Sequence, residues 1–211
     1  VGEINFGAPE NEIKFLKKLL KLDVFVEGGS YTGGTSKKMS KTFKKVYTIE
    51  KSDVMYGVAK KSLEGIGNIT LLKGDTREHL SSIIESNDNM IFWLDAHWSG
   101  GDTYGKTDEC PLVEELQIIF KNMMNCVVLI DDARLFLAPP PCPHNYQNWP
   151  SLTDISSVIP HDWDMVEFED VLYLFKKSIS DDFKPFLQNL VTNKYNKKKS
   201  LWQVLISKLG G

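Results

Sequence analysis

Six acidic residues stand at the ends of short apolar runs, and they are the groups in this chain best placed to do chemistry. Val24-Phe25-Val26 leads into Glu27, Val46-Tyr47-Thr48-Ile49 into Glu50, and Ile69-Thr70-Leu71-Leu72 runs up to Gly74-Asp75. Ile91-Phe92-Trp93-Leu94 ends in Asp95, and Cys126-Val127-Val128-Leu129-Ile130 ends in the pair Asp131-Asp132. If each run is a strand of an open α/β sheet, its acid lies at the carboxyl edge, where such sheets bind ligands. The pattern therefore predicts one cleft able to hold a nucleotide-like cofactor and a metal ion. Asp95, Asp131 and Asp132 supply hard oxygen donors suited to Mg2+ or Mn2+, with water and substrate hydroxyls completing the shell. His97 lies two residues past Asp95 and titrates near neutrality, which makes it a candidate general base. The competing reading is that an isolated histidine is structural.

The turn after the first run, Gly28-Gly29-Ser30-Tyr31-Thr32-Gly33-Gly34-Thr35, narrows the cofactor. It has Ser30 where a dinucleotide fingerprint has its second glycine, and it lacks the lysine of a phosphate-binding P-loop. Glu50 follows Glu27 by 23 residues, near the offset at which an acid grips ribose hydroxyls. That offset fits NAD and S-adenosylmethionine (SAM) equally. Glu27 tips the balance. A carboxylate beside a helix start repels a pyrophosphate and suits the cationic sulfonium and amino group of SAM. Asp75 is placed to accept a hydrogen bond from an adenine amine or to orient the loop around it. Helix capping is the alternative for both Glu27 and Asp75.

The elements that must position these groups follow from periodicity. Helices are predicted over residues 11–22, with Asn11 as cap, from about 35, over 52–63, over 76–84 and over 112–120, with Pro111 at a first helical position. A polar, glycine-rich loop runs over 98–110. The proline-rich segment 138–150 can be neither helix nor central strand and is a candidate lid or substrate wall. A short helix over 151–158, a strand pair over 165–168 and 171–175, and a helical tail over 181–211 complete the chain. Alternating strands and helices followed by a strand pair imply a mainly parallel sheet with an antiparallel edge.

At 211 residues one domain is expected over the whole chain, 1–211. A net charge of −3, with lysine pairs scattered along the sequence, gives no basic field for nucleic acid. No apolar run reaches the roughly 20 residues of a bilayer span. Cys110, Cys126 and Cys142 form no paired framework, and Cys142 with His144 matches no zinc spacing. A reducing, cytoplasmic setting is expected. The polar start without Met suggests a domain cut from a larger polypeptide.

The residues 24–35, Tyr47-Thr48-Ile49-Glu50, Gly74-Asp75 and Trp93-Leu94-Asp95-Ala96-His97 resemble the successive motifs of class I SAM-dependent methyltransferases, and the resemblance covers residues 24–175. It implies SAM as cofactor and a Rossmann-like α/β fold: a mostly parallel seven-stranded sheet with an antiparallel edge strand and helices on both faces. The implied cofactor set is Glu27, Gly28, Gly29, Ser30, Tyr31, Gly33, Thr35, Glu50, Lys51, Asp75, Thr76 and Asp95. Asp95 with Asp131-Asp132 is similar to the metal-dependent sugar O-methyltransferases of the macrocin and aminocoumarin type. The chain also resembles the methyltransferase domains of multidomain chlorovirus glycan-synthesising proteins. That likeness implies a deoxyhexose acceptor such as rhamnose, adjoining glycosyltransferase domains and the host cytoplasm. Two departures stand out: an extra glycine pair in the first motif, and His97 where those sugar enzymes often carry a second acid.

On this reading His97 and Asp95 are catalytic, and Asp95, Asp131 and Asp132 bind the metal. Trp98, Tyr104 and Trp149 are candidates to stack on a sugar face, although loop aromatics also pack against their own loop. Asp102, Thr103 and Asp108 are candidates for acceptor hydroxyls. Arg134 either holds substrate or forms a plain salt bridge with the acid pair. Three rivals remain: a nicotinamide-dependent oxidoreductase, a silent SAM-fold module that scaffolds partner domains, and a methyltransferase without a metal.

Overall fold

The computed structural model describes residues 7–98, 108–122 and 125–209, with side chains to 197. The order of elements is α1 (Glu10–Leu20), β1 (Val24–Gly28), α2 (Gly34–Met39), β2 (Lys45–Glu50), α3 (Asp53–Ser62), β3 (Ile69–Lys73), α4 (Thr76–Glu85) and β4 (Met90–Leu94). Then come α5 (Leu112–Asn122), β5 (Cys126–Ile130), α6 (Arg134–Leu137), α7 (Leu152–Val158), β6 (Trp163–Phe168), β7 (Val171–Lys176) and α8 (Ser180–Leu209). The strands form one seven-stranded sheet in the order β3-β2-β1-β4-β5-β7-β6. β1 to β5 pair in parallel, and β7 runs antiparallel to both β5 and β6.

Strand residues alternate between two cores, so both faces of the sheet are covered. Val24, Val26, Met90, Phe92, Leu94, Cys126, Val128 and Ile130 pack on one side with Leu80, Ile83, Leu116 and Ile155 of α4, α5 and α7. Phe25, Ile91, Trp93, Val127, Leu129 and Tyr173 pack on the other with Ile13, Leu16, Met39 and Phe183 of α1, α2 and α8. This is why the central strands read as unbroken apolar runs. Helix starts are set by local chemistry. Ser52 caps α3 by accepting from the Met55 amide, and Asp75 with Glu78 forms a capping box on α4. At α1 the cap position is Pro9 with no side-chain bond, not Asn11, and Lys21 ends the helix in a left-handed conformation. Among the described residues no helix is long and apolar enough to cross a membrane.

The topology fixes where a ligand can sit. Beyond β1 the chain first builds outward through β2 and β3, then crosses to place β4 on the other side of β1. Such a reversal opens a crevice at the carboxyl ends of β1 and β4. Register brings Gly28 level with Leu94, and Leu94 level with Ile130. The residues that follow, Gly29, Asp95 and Asp131, therefore emerge side by side.

Candidate functional site

The glycine turn after β1 lies directly on the loop after β4. Gly29 has φ +88, and a Cβ there would stand 2.3 Å from the Asp95 carbonyl oxygen. Only glycine allows this approach. The Asp95 amide donates to Gly28 O at 3.0 Å, which locks the two loops together.

Glu27 is buried, and its Oε2 accepts from Ser36 Oγ at 2.5 Å and Thr48 Oγ1 at 2.6 Å. Burial pushes its carboxyl up to about 7, against the pull of these hydroxyls. Glu27 thus ties β1, β2 and α2 together. Ser30 Oγ shares a 2.6 Å hydrogen bond with Thr48 Oγ1. Glu50 receives the Tyr31 amide on Oε2 and the Ser52 amide on Oε1, each at 2.8 Å. It clamps the turn where Tyr31 takes the left-handed φ of 48. Burial raises its carboxyl despite those amides. Gly33 and Thr35 complete the turn into α2.

Asp75 caps α4 and accepts from Lys51 Nζ at 2.6 Å and from Arg77 Nη2 at 2.7 Å. Burial works to raise its carboxyl, but Arg77 and Lys51 outweigh it and hold it well below the usual range. Thr76 beside it is buried, and its Oγ1 would lie 3.2 Å from a Cβ on Gly28. A depressed folded pKa stabilises the protein above the unfolded value of about 3.9, and that contribution is lost as pH falls through the folded value. Asp75→Asn is therefore predicted to cost about 1–3 kcal/mol at neutral pH, the scale of hydrogen bonds to charged groups. The gap from wild type should close on acidification below about pH 3.9. Urea unfolding at several pH values measures this, and a gap independent of pH would refute it.

Past β4 and β5 lies a compact group of charges. His97, with a side chain 6% exposed, holds Nε2 3.3 Å from both Asp95 Oδ1 and Asp132 Oδ2. The ring is within ion-pair range of both acids but aligned for a hydrogen bond with neither. Burial works to lower the imidazole pKa; the Asp132 and Asp95 carboxylates outweigh it, and the ring titrates above its ordinary value. Asp95 is raised by burial and by the charges of Asp131 and Asp132, against His97. Burial and the neighbouring Asp132 charge push Asp131 up to about 6. Asp132 is held low, because His97 and Arg134 overcome its burial.

Asp132 sits at φ 56, a left-handed conformation for a residue that is not glycine. Its surroundings hold it there. Its amide donates to Asp131 Oδ1 at 2.9 Å, and the next two amides, of Ala133 and Arg134, donate to Asp170 O and Oδ1 at 2.8 and 3.0 Å. Arg134 Nη1 bonds Asp132 Oδ1 at 2.8 Å and also contacts Asp170 Oδ2. The donor types fit a hard divalent ion. Among the described residues, however, no group of three His, Cys, Asp or Glu side chains converges as a metal-holding set. His97 and Arg134 contact these carboxylates, so an entering ion would compete with both.

Trp98 and Trp149 are each 8% exposed. Trp149 packs on His97 with ring centres 5.3 Å apart, and both tryptophans meet His144 edge-on at 5.2 Å. Both rings are buried in this conformation, Trp98 against His144 of the proline-rich segment and Trp149 against His97 as well as His144. Glu109 joins the group: Oε2 accepts from Trp149 Nε1 at 2.7 Å and lies 3.2 Å from His144 Nδ1, and Oε1 accepts the Asn145 amide at 2.9 Å. The Trp98 amide donates to Glu109 O at 2.7 Å. Glu109 thereby pins the proline-rich segment to the loop after β4. Sequence reasoning passed over Glu109 and Asp170; the one local hint was His144, a polar residue inside a proline-rich run. Asp108 bonds Arg77 at 2.5 Å. Asp102, Thr103 and Tyr104 lie outside the described residues.

No family model and no curated protein sequence matches the chain. Solved structures do. Methyltransferase PaMTH1 of Podospora anserina, bound to S-adenosylhomocysteine, is 17% identical with a TM-score of 0.54, covering 78% of this chain and 76% of that one. A Staphylococcus aureus protein assigned as a caffeoyl-CoA O-methyltransferase is 14% identical with a TM-score of 0.57, over 82% and 85%. An O-methyltransferase of Bacillus cereus in complex with S-adenosylhomocysteine is 12% identical with a TM-score of 0.54, over 82% and 84%. These likenesses show the fold, the Rossmann-like fold of class I methyltransferases.

Proposed function

We propose that the chain is a SAM-dependent O-methyltransferase that methylates a sugar hydroxyl, with His97 as general base. The observation that most supports this is the contact, at the β1/β4 crevice, between an acid-flanked glycine turn and the Asp95–His97–Asp132 group. Carboxylates at the ends of β1 to β4 suit the ammonium, sulfonium and ribose hydroxyls of SAM and repel a pyrophosphate. Glu50 is assigned to the ribose, and Asp75 with Thr76 to the adenine side. Gly28, Gly29, Ser30, Tyr31, Gly33 and Thr35 form the floor, with Lys51 holding Asp75.

When bound, SAM supplies a methyl group already activated on sulfur. The protein then has to align an acceptor oxygen and remove its proton. His97 Nε2 takes that proton, and Asp95 and Asp132 at 3.3 Å stabilise the resulting imidazolium. Arg134, Trp98 and Trp149, with Asp102 and Tyr104, are assigned to the acceptor side. A deoxyhexose of a glycan is the acceptor class, neighbouring glycosyltransferase domains are its source, and a reducing cytoplasm is the setting. Three free cysteines support that setting.

Calorimetric titration tests the cofactor: SAM is expected to bind and NAD not to, and the reverse result would favour an oxidoreductase. A labelled-methyl screen over glycans, catechols and small phenols tests the acceptor. Binding without transfer to any of them would favour the silent scaffold.

A second reading adds Mg2+ or Mn2+ on Asp95, Asp131 and Asp132. It is favoured by the side-by-side emergence of Asp95 and Asp131. Such an ion would acidify the acceptor hydroxyl. Activity is then expected to vanish in EDTA and return with either ion; unchanged activity in chelator removes the metal. Asp131→Ala is predicted to abolish transfer while leaving SAM affinity within a few-fold. Equal loss of both would mean that Asp131 serves the cofactor instead.

A further inference from the structure

The proline-rich segment 138–150 lies over the acid group, yet little ties it down. Its Trp149 packs on His97 at 5.3 Å and on Phe136 at 5.9 Å. The His97 and Asp132 side chains are only 6% and 3% exposed. An acceptor oxygen needs more open surface than that, so the cover over these side chains has to move before transfer. Residues 138, 139, 141–143 and 145–147 of the segment are exposed, and only Pro140 and Trp149 are buried. Its backbone bonds stay within it: the His144 amide donates to Pro141 O at 3.1 Å, Asn148 to Asn145 O at 2.9 Å and Trp149 to Tyr146 O at 3.2 Å. Pro139, Pro140, Pro141 and Pro143 have no amide hydrogen to place elsewhere, and their fixed φ stiffens the chain. Among the described residues, every hydrogen bond from the segment to the rest of the protein ends on the Glu109 carboxylate. The donors are the Asn145 amide and Trp149 Nε1, with His144 Nδ1 at 3.2 Å.

We propose that residues 138–150 form a lid that opens as a unit to admit the acceptor to the Asp95–His97–Asp132 group, and that Glu109 is the latch that holds it shut. The inference rests on the reading of that group as the place of methyl transfer. Both ends of the lid are anchored. Asp170 braces the start of α6 before it, and a Ser151–Asp154 capping box fixes the start of α7 after it. The latch is anchored too: Glu109 O accepts from the Trp98 amide, and Cys110 and Leu112 just beyond it are buried. Opening therefore breaks the contacts on one carboxylate and exposes Trp149, while the sheet and the bonds inside the segment stay intact. Water then takes over the carboxylate and the indole N–H. Such an opening needs far less free energy than unfolding the sheet.

The test is hydrogen exchange of the Trp149 Nε1–H, followed by NMR on the full chain labelled with nitrogen-15 over a series of low urea concentrations. The chain has five tryptophans, and Trp149→Phe assigns the signal. In wild type the indole is expected to exchange through an opening that barely responds to urea, because a lid exposes little surface. Backbone amides of β4, the central strand of the sheet, should instead follow the steep urea dependence of global unfolding. Glu109→Ala is expected to speed Trp149 exchange roughly 10- to 100-fold, the scale of a hydrogen bond to a charged group. Glu109→Gln, which keeps one acceptor oxygen, should speed it less, and its matching shape keeps the latch testable if Glu109→Ala does not fold. SAM affinity should stay within about two-fold in either variant, since the Glu109 side chain shares no partner with the assigned cofactor residues. Trp149 exchange with the urea slope of β4 in wild type overturns the lid. Exchange no faster in the Glu109 variants overturns the latch. Exchange is read without any acceptor, so the expected pattern in a chain that neither binds SAM nor methylates would keep the lid and its latch and end the reading of what enters beneath it.

Discussion

His97→Ala is expected to lower turnover by about 10²- to 10⁴-fold, the range for a lost general base. SAM affinity should change little, because the cofactor contacts assigned above come from the glycine turn and from the strand-end carboxylates of β1 to β4, and none from His97 itself. The variant also removes the imidazole from between Asp95 and Asp132, each 3.3 Å from Nε2. Asp132 keeps Arg134 as a partner at 2.8 Å, while Asp95 loses the imidazole whose charge opposes its burial. Two roles are therefore mixed in the alanine variant. His97→Lys separates them, since it restores a cation without an imidazole. Single-turnover methyl transfer is the measurement. A slow alanine variant rescued by lysine would make His97 a counter-ion, and a normal rate in the alanine variant would remove it from the reaction.

Gly29→Ala is predicted to destabilise the fold by on the order of 3–5 kcal/mol, at the high end for a single substitution. Its Cβ would fall 2.3 Å from Asp95 O and 2.8 Å from the Asp95 carbonyl carbon. Both contacts are with backbone, so no side chain can swing away. Nor can the backbone shift freely, because the Asp95 amide is bonded to Gly28 O and the two strands are in register. The φ of +88 adds strain of its own for any L side chain. Gly57 is the control. It lies inside α3 with nothing near its missing Cβ, so Gly57→Ala should stabilise by roughly 0.5–1 kcal/mol. Denaturant unfolding of the two variants reads both effects. A Gly29→Ala protein within about 1 kcal/mol of wild type, a common outcome for single substitutions, would contradict the close approach described here.

The sheet was legible because its strands are apolar on both faces and each ends in polar punctuation. All six strand-end acids stand at the carboxyl edge, where the apolar runs put them. Partner choice was not legible. Glu27 engages Ser36 and Thr48, and Glu50 engages the Tyr31 and Ser52 amides; nothing in the spacing distinguishes such bonds from ligand contacts. Glu109 reaches Trp149 across 40 residues, and Arg134 reaches Asp170 across 36. Those pairs depend on how loops fold over the sheet edge, and loop conformation leaves little periodic trace in sequence. Trp98 and Trp149 illustrate the same gap, since their types suit a sugar face and a buried cluster equally well.

The brace that Asp170 supplies to Ala133 and Arg134 has a consequence for biosynthesis. A nascent chain emerges from the ribosome amino end first, so β1 to β5 can associate while the turn between β6 and β7 is still inside the exit tunnel. Until that turn appears, the two amides that follow Asp132 lack their Asp170 acceptors, and the left-handed kink at that acid lacks its support. The brace on that kink is thus completed only by the last hairpin, and a polypeptide ending before it would lack the support described for the loop after β5.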